Sequence, residues 1–400
     1  MSKEGGEEEK NGGRGRMRKA LVIFGRLQDV RQERKVVHKL LDIVIITIIG
    51  VMCGCTDWEE IAEFGRARAE TLRGYLDLRN GIPSHDTFRR VMGMVEPKSL
   101  ERCYWLWVET ILPGVSADVV NVDGKTVRGS GKPGLKPIHL VSAWSFRAGI
   151  TLAQLKTAEK SNEITAIPEL LDMLNIVGSI VTIDAMGCQT AITRKVMEKG
   201  GEYVIACKEN QPALHQEIHE YFVYADQNPK EDLHNTKCVH KEKSHGRLES
   251  RTYELIEDCA LLHRFHDFDG AASIGRVRSR TQLRNGSIRE DERYYLTSLH
   301  GIGSIERFAH AVRKHWGIEN SCHWVLDVTF GEDACRTRDE ITAQNLTVAR
   351  KLALALAKKV PDEIVEKYSH NQAKYTSLKK RLFLANLYPD FMMDILLANA

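Results

Sequence analysis

Two short apolar runs that each carry an aspartate at the end constrain this chain more than any other feature. Residues 119–129 read VVNVDGKTVRG, where Val119, Val120 and Val122 lead into Asp123, with Gly124 and Lys125 directly behind it. Residues 179–187 read SIVTIDAMG, an apolar run that stops at Asp184. Aspartate is a poor strand former, and a buried carboxylate must be paired or bind a cation. Alone, an aspartate at a strand end is a cap or a turn residue. Two of them change the weighting. If the strands 119–123 and 180–184 are parallel neighbours, both carboxylates sit at the C-terminal edge of the sheet, where open α/β sheets bind ligands.

The surrounding pattern gives these strands a sheet to belong to. Strand-like runs at 119–123, 137–145 and 149–156 are followed by a helical stretch at 162–174, a strand at 180–184, a helix at 189–199 and a strand at 203–207. Three strands, helix, strand, helix, strand predicts a mixed sheet covered by helices, an α/β fold. From 208 to about 300 the pattern loosens into polar stretches and strand-like pieces at 250–254 and 294–299, which reads as a largely β insertion. Before the sheet, residues 29–115 read as an all-helical domain. Asp57 with Glu60 three residues on is a capping-box pattern, and Ser84 can cap a helix that carries Phe88, Val91 and Met92 on one face beside Arg89 and Arg90. A helix, a short turn and a helix with paired arginines suit DNA as well as they suit a plain bundle with a wet face. Residues 1–28 read as a flexible basic arm. After the sheet region, amphipathic helices at 343–360 and 371–384 precede a short apolar tail at 390–400. The domain boundaries are therefore 1–28, 29–115, 116–360 with the insertion at about 208–300, and a C-terminal helical tail at 361–400.

Composition excludes some functions. Lys and Arg number 57 against 54 Asp and Glu, a net charge of +3, so any nucleic-acid surface is local. Nine cysteines without CxxC pairs point to a reducing, cytoplasmic setting. The longest apolar run, 43–53, is too short for a membrane span, and no signal peptide is evident.

A third acid is needed for the chemistry that two converging aspartates imply. Phosphodiester hydrolysis and transfer demand a strong nucleophile and charge neutralisation at phosphorus, and two Mg²⁺ or Mn²⁺ ions supply both. Mg²⁺ takes few protein ligands, mostly carboxylates, so the signature is two or three widely spaced Asp/Glu that meet in space. Residues 314–333, KHWGIENSCHWVLDVTFGED, are dense in candidates. On a helix Glu319 lies one turn after His315 and Trp316 and beside His323, while Asp327, Glu332 and Asp333 are rivals. Lys125 and Arg128 could hold phosphate, as could His245 and Arg247 in the stretch SHGRLES, each against a plain surface reading. His315 could contact phosphate or orient the carboxylate. Trp316 and Trp324 read first as core packing and second as platforms for a displaced base.

Several stretches together resemble bacterial insertion-sequence transposases of the DDE superfamily, in particular the group that includes the H-repeat-associated proteins. They are HKLLDIVIITI (38–48), WEEIAEFG (58–65), GIPSHDTFRRV (81–91), VDGKTVRGS (122–130), IDAMGCQT (183–190), HGRLESR (245–251), YLTSL (295–299) and HWGIENSCHWVLDVTFGED (315–333). They occur in family order across most of the chain. The resemblance implies an RNase H-like core with the Asp123 strand central and the Asp184 strand beside it, and a mostly β insertion before the helix carrying Glu319. It also implies Asp123, Asp184 and Glu319 as catalytic metal ligands for a pair of Mg²⁺ or Mn²⁺ ions. The implied activity is metal-dependent cleavage at the ends of an insertion sequence and strand transfer into target DNA, by at least a homodimer on double-stranded DNA in the nucleoid. The wider superfamily often sets its glutamate in a Tyr-x2-Arg-x3-Glu-x6-Lys signature. Here Val312, His315 and Leu326 stand at the Tyr, Arg and Lys positions, so Arg313 and Lys314 are the nearest substitutes for the charge. Two other readings stay open: a catalytically inactive or repurposed DNA-binding relic, and a structure-specific nuclease of the same fold.

Overall fold

A computed structural model describes residues 19–398 apart from 113–117, 158–162, 230–234, 245–246, 258–261 and 263–266. Among the described residues nine strands form one sheet, in the order β3-β2-β1-β4-β5-β9-β8-β7-β6. The first five are β1 (Val119–Thr126), β2 (His139–Ser145), β3 (Ile150–Thr157), β4 (Ile180–Ile183) and β5 (Glu202–Cys207). β1, β4 and β5 are parallel, and β2 and β3 fold back antiparallel on the far side of β1. The parallel strands read as continuous Val/Ile runs because helices cover both faces of this part of the sheet.

The region from 208 to 300 does not stand apart from that sheet. β6 (Asn235–Ser244), β7 (Arg247–Glu257), β8 (Ser273–Gln282) and β9 (Ile288–Thr297) form an antiparallel meander. β9 pairs with β5, from Val204↔Thr297 to Cys207↔Tyr294, so the meander prolongs the central sheet. A helix that the polarity of the region hides, Pro212–Gln227, precedes the meander; it buries Leu214, Ile218, Phe222 and Ala225 in a region that otherwise reads as polar.

In chain order the helices are α1 (Leu40–Met52), α2 (Trp58–Ala67), α3 (Ala69–Arg73), α4 (His85–Met92), α5 (Pro97–Ile111), α6 (Glu163–Asp172), α7 (Thr190–Glu198), α8 (Pro212–Gln227), α9 (Ser304–Ile318), α10 (Trp324–Val328), α11 (Glu340–Lys359), α12 (Asp362–Tyr368), α13 (Leu378–Leu387) and α14 (Pro389–Ala398). α1 is built from Ile and Val, residues with middling helix propensity, yet nearly every side chain in it is buried. A helix that is apolar all round belongs in a core, and α1 lies against α11, whose run Leu352–Ala357 is buried as well. Local caps set the boundaries of the N-terminal helices. The Asp57 carboxylate accepts from Glu60 N at 2.8 Å, while the Glu60 carboxylate accepts from Thr56 N at 2.6 Å. Ser84 Oγ accepts from Thr87 N at 3.3 Å.

Of the expected basic arm, residues 1–18 lie outside the described residues, and the remainder is not a free arm: Ala20, Ile23, Phe24 and Leu27 are buried. At the C-terminus the expected helix over 371–384 is split. Residues 373–375 form a 3-10 turn, and Ser377 caps α13 by accepting from Lys380 N at 3.3 Å. The apolar tail is the helix α14, which buries Phe391, Met392 and Ile395.

Candidate active site

The pairing of β1 with β4 runs from Val119↔Ile180 to Val122↔Ile183, so Asp123 and Asp184 each follow the last paired residue of their strand. Asp184 then starts a 3-10 turn, Ala185–Gly187, and its carboxylate accepts from Met186 N at 3.1 Å. β1 does not end at Asp123. It runs three residues further, to Thr126, paired with β2 alone. Asp123 is therefore a mid-strand residue on the last stretch where β1 has lost its parallel neighbour.

A buried polar ladder fixes the helix that faces these acids. Asn121 Nδ2 donates to Lys314 O at 2.8 Å, Thr182 Oγ1 donates to Asn121 Oδ1 at 2.7 Å, and Thr182 Oγ1 lies 2.9 Å from His315 Nδ1. The ladder ties the last turn of α9 across β1 and β4. Gly317 keeps the approach close: a Cβ there would stand 3.0 Å from the Phe146 ring. Directly after α9 the chain makes one π turn, Glu319–His323, before α10 resumes. Such single π turns inserted between α-helices recur at functional sites.

The turn directs Glu319 and His323 at Asp123. His323 Nδ1 is 3.5 Å from Asp123 Oδ2 and 3.7 Å from Glu319 Oε2, and one ligand atom from each of the three residues lies within 4.8 Å of the others. Asp184 is not part of that tight group. Burial, with the charges of Glu319 and Asp184 behind it, pushes the Asp123 carboxyl up to about 8. Asp184 is raised too, chiefly by burial and then by the charge of Glu163. Glu319 is held below its usual range by its contact with His323. His323 Nε2 is buried and has no hydrogen-bond partner among the described residues. Acids crowded until one holds its proton near neutral pH, beside an imidazole, make a donor set that fits a divalent cation. Carboxylates suit Mg²⁺ and Mn²⁺, and the imidazole leans toward the latter.

The rival acids are otherwise engaged. Lys125 Nζ is 2.5 Å from Asp327 Oδ1 and 2.5 Å from Glu332 Oε2, and Glu332 is almost fully buried with Arg350 3.9 Å away. The ammonium of Lys125 thus points into the protein, an internal cation rather than one presented to solvent. Asp333 faces Arg128, whose own side chain remains 84% exposed. His315 gives Nδ1 to Thr182, and burial pushes its ring down to about 4, so it is neutral near pH 7 and placed to orient rather than to carry charge. Arg89 and Arg90 stand exposed on α4, with Arg89 3.3 Å from Asp86, and Arg247 is exposed at the start of β7. His245 lies outside the described residues.

The tryptophans depart from the core-packing expectation: Trp316 is 48% and Trp324 58% exposed. Trp316 lies in the last turn of α9 and Trp324 opens α10, on either side of the π turn that carries Glu319 and His323. The Arg293 guanidinium lies over the Trp316 ring at 5.3 Å. Beside Trp316 a groove of about 890 Å³ runs between α9 and the meander, its lining mixed in charge, with Arg247, Arg293 and Arg313 among Glu242, Glu249 and Asp291.

Asn121, Thr182 and Glu163 escape a motif-based reading. The first two carried a usable signal: each sits two residues before its aspartate, on the same strand face, where an apolar residue is expected. Glu163 carried none, because a glutamate at a helix start is ordinary.

Residues 116–356 match the family described as "Transposase DDE domain", and residues 21–108 match the one described as "DDE_Tnp_1-associated". The chain belongs to the DDE transposase family. Among its relatives, "Putative transposase YncI" of Escherichia coli O157:H7 is 39% identical over 345 residues, 84% of this chain and 86% of that one. "H repeat-associated putative transposase YhhI" of Escherichia coli K12 is 37% identical over 344 residues, 84% of this chain and 90% of that one. A solved structure, "Cryo-EM structure of piggyBac transposase synaptic complex with hairpin DNA", aligns with a TM-score of 0.40 at 10% identity, over 94% of this chain and 77% of that one. A likeness that faint decides nothing about fold or function. Family membership, and the resemblance to the H-repeat group, rest on the sequence matches. No described helix is long and apolar enough to cross a membrane, and every cysteine among the described residues is free.

Proposed function

We propose that this protein is a metal-dependent transposase that cuts double-stranded DNA at the ends of an insertion sequence and joins those ends to target DNA. The observation that carries the reading is the convergence of Asp123, Glu319 and His323 beside Asp184, with Asp123 pushed up to about 8, in a member of the DDE family. In this reading Asp123, Asp184 and Glu319 hold two Mg²⁺ or Mn²⁺ ions. Divalent cations bound there supply charge neutralisation at phosphorus and an acidified water at neutral pH. The rest falls to the chain's own side chains. His323 bridges Asp123 and Glu319 and keeps both carboxylates aimed at one point. His315, neutral and held by Thr182, fixes the helix end from which Glu319 projects. Arg128, exposed five residues past Asp123, contacts phosphate flanking the cleaved bond. Lys125 holds Asp327 and Glu332 instead, which keeps those acids from competing for the cations.

The strand order, with the Asp123 strand central and the Asp184 strand beside it, supports an RNase H-like core. Arg89 and Arg90 on the capped helix α4 suit contact with terminal-repeat DNA, and Arg247 suits contact from the meander. Two element ends must be held at once, which asks for at least a dimer on DNA, working on the nucleoid in the cytoplasm.

The test is cleavage of linear DNA carrying the terminal repeats that flank the gene, with Mg²⁺ or Mn²⁺, by wild type, Asp123→Asn, Asp184→Asn and Glu319→Gln. Cation-dependent nicking at the ends by wild type alone is the expected result. Equal cutting by Asp123→Asn would sink the assignment. End-specific binding without any cutting by wild type would leave a non-catalytic, DNA-binding relic as the better reading.

A further inference from the structure

A second acid–histidine pair lies directly behind Asp123. His139 is the register partner of Thr126 on β2, and its ring is clamped along its length: Nδ1 is 2.9 Å from Thr126 Oγ1 and Nε2 is 2.6 Å from Glu163 Oε1. Both side chains of the pair are only 5% exposed. Glu163 is the first residue of α6, and α6 packs on the 3-10 turn that follows Asp184.

Gly124 shows how near this carboxylate comes to the acid site. A Cβ at position 124 would stand 2.3 Å from Glu163 Oε1 and 2.8 Å from His139 Nε2. The space that any other residue's side chain would fill is taken by the Glu163 carboxylate, one residue from Asp123. Because α6 rests on the turn that Asp184 starts and its Glu163 carboxylate lies against Gly124, Glu163 stands on the Asp184 side of Asp123.

A buried Glu–His pair is weak as a stabilising device, because desolvating both groups offsets most of their attraction. An apolar pair of similar volume would cover the sheet as well. Its position suggests another use. Two divalent cations bring four positive charges, and Asp123, Asp184 and Glu319 answer three of them. Local ion charge dominates the electrostatics of such a site. We propose that Glu163 is a fourth carboxylate of the metal centre, on the Asp184 side, and that His139 is the positioning residue that holds it there. This inference rests on the two-cation reading above.

The test is Mn²⁺ binding to the full chain without DNA, followed by the electron paramagnetic resonance signal of free Mn²⁺. Glu163→Gln, nearly isosteric and still able to accept from His139, is expected to lower Mn²⁺ affinity by roughly tenfold to a hundredfold, or to remove one of the two ions. His139→Ala lowers affinity in the same direction, and His139→Gln, whose amide still donates toward Glu163, restores most of it. Equal losses in the two His139 variants would reduce His139 to a packing role and overturn its assignment. Wild-type affinity and stoichiometry in Glu163→Gln, alongside a loss in Asp123→Asn, would overturn the fourth carboxylate and leave the metal centre intact. If Asp123→Asn also binds as wild type does, the metal-centre reading itself fails. Should Glu163→Gln not fold, Glu163→Asp keeps the charge but withdraws it by one methylene, and unchanged Mn²⁺ binding there overturns the proposal equally.

Discussion

At the scale of single residues the site is a store of unfavourable electrostatics. Asp123 is held at about 8 against an ordinary 3.8, mainly by burial and then by its acidic neighbours. Because the folded value lies above the unfolded one, the native state binds the extra proton between roughly pH 4 and pH 8. The contribution of this group to stability is therefore full at low pH and is lost as pH rises through about 8, opposite to the usual behaviour of a carboxylate. A cation must displace that proton, so Mn²⁺ binding at pH 7 should release about one proton, and at pH 9 almost none. Titration calorimetry at pH 7 in two buffers of different ionisation enthalpy measures this; identical heats in both would contradict it. Lys125 and Arg128 show what residue type alone conceals. Both follow Asp123 closely and both are basic. Register puts one under α10, against Asp327 and Glu332, and the other in solvent. Nothing in the local string distinguishes them, because the difference lies in acids two hundred positions away.

At the scale of elements the link between the sheet and α9 is the ladder Asn121–Thr182–His315. Replacing Thr182 by Val keeps the shape but strips the hydroxyl that meets both Asn121 and His315. Leaving buried polar partners unsatisfied costs about 1–3 kcal/mol. The larger consequence belongs to geometry, since the ladder sets where the π turn begins and hence where Glu319 points. Thr182→Val is expected to lower the urea midpoint and to weaken Mn²⁺ binding together. A variant with the lower midpoint but unaltered Mn²⁺ affinity would show that the ladder only stabilises. The same elements show which parts of the fold are legible in sequence. β1, β4 and β5 announce themselves as Val/Ile runs because they are covered on both faces. The caps at Asp57 and Ser84 are visible because capping is local chemistry. β6, NTKCVHKEKS, shows almost no apolar alternation because it is the edge strand of the sheet and its side chains stay largely in solvent. β8, SIGRVRSRTQ, hides for a related reason. Its Arg276 is buried, where two acids meet it: Glu254 at 2.8 Å and Asp226 at 2.8 Å. An arginine at a core position reads as solvent until its partners are known.

At the scale of the whole molecule the boundary near residue 115, natural from composition, does not separate two cores. A single apolar cluster runs from Ala20 and Phe24 through α1 and α5 to the sheet, α11 and α14. α1 is buried on nearly all sides, and one of those sides is closed by α11. Asn345 on α11 donates to Met92 O at 2.8 Å and Val95 O at 2.9 Å, and Gln344 Nε2 donates to Glu101 Oε1 at 3.0 Å. Buried polar links of this kind are satisfied only while both halves are present. A chain starting at residue 115 would therefore expose the faces of α11 and β3 that α1 and α5 cover, and would leave the amides of Gln344 and Asn345 without acceptors. The expected outcome is that such a fragment is insoluble or lacks a cooperative transition, while the full chain unfolds in one transition whose calorimetric and van't Hoff enthalpies agree. Two resolved transitions in the full chain, or a fragment that melts cooperatively and binds Mn²⁺, would show that the sheet bearing Asp123 and Asp184 folds without the helices before it. The positive outcome also bears on function. On the proposed function, in which Arg89 and Arg90 of α4 contact terminal-repeat DNA, a core shared with the acid site would fix that DNA relative to Asp123 by packing rather than by a linker. The distance from the bound sequence to the cut would then be a property of the fold.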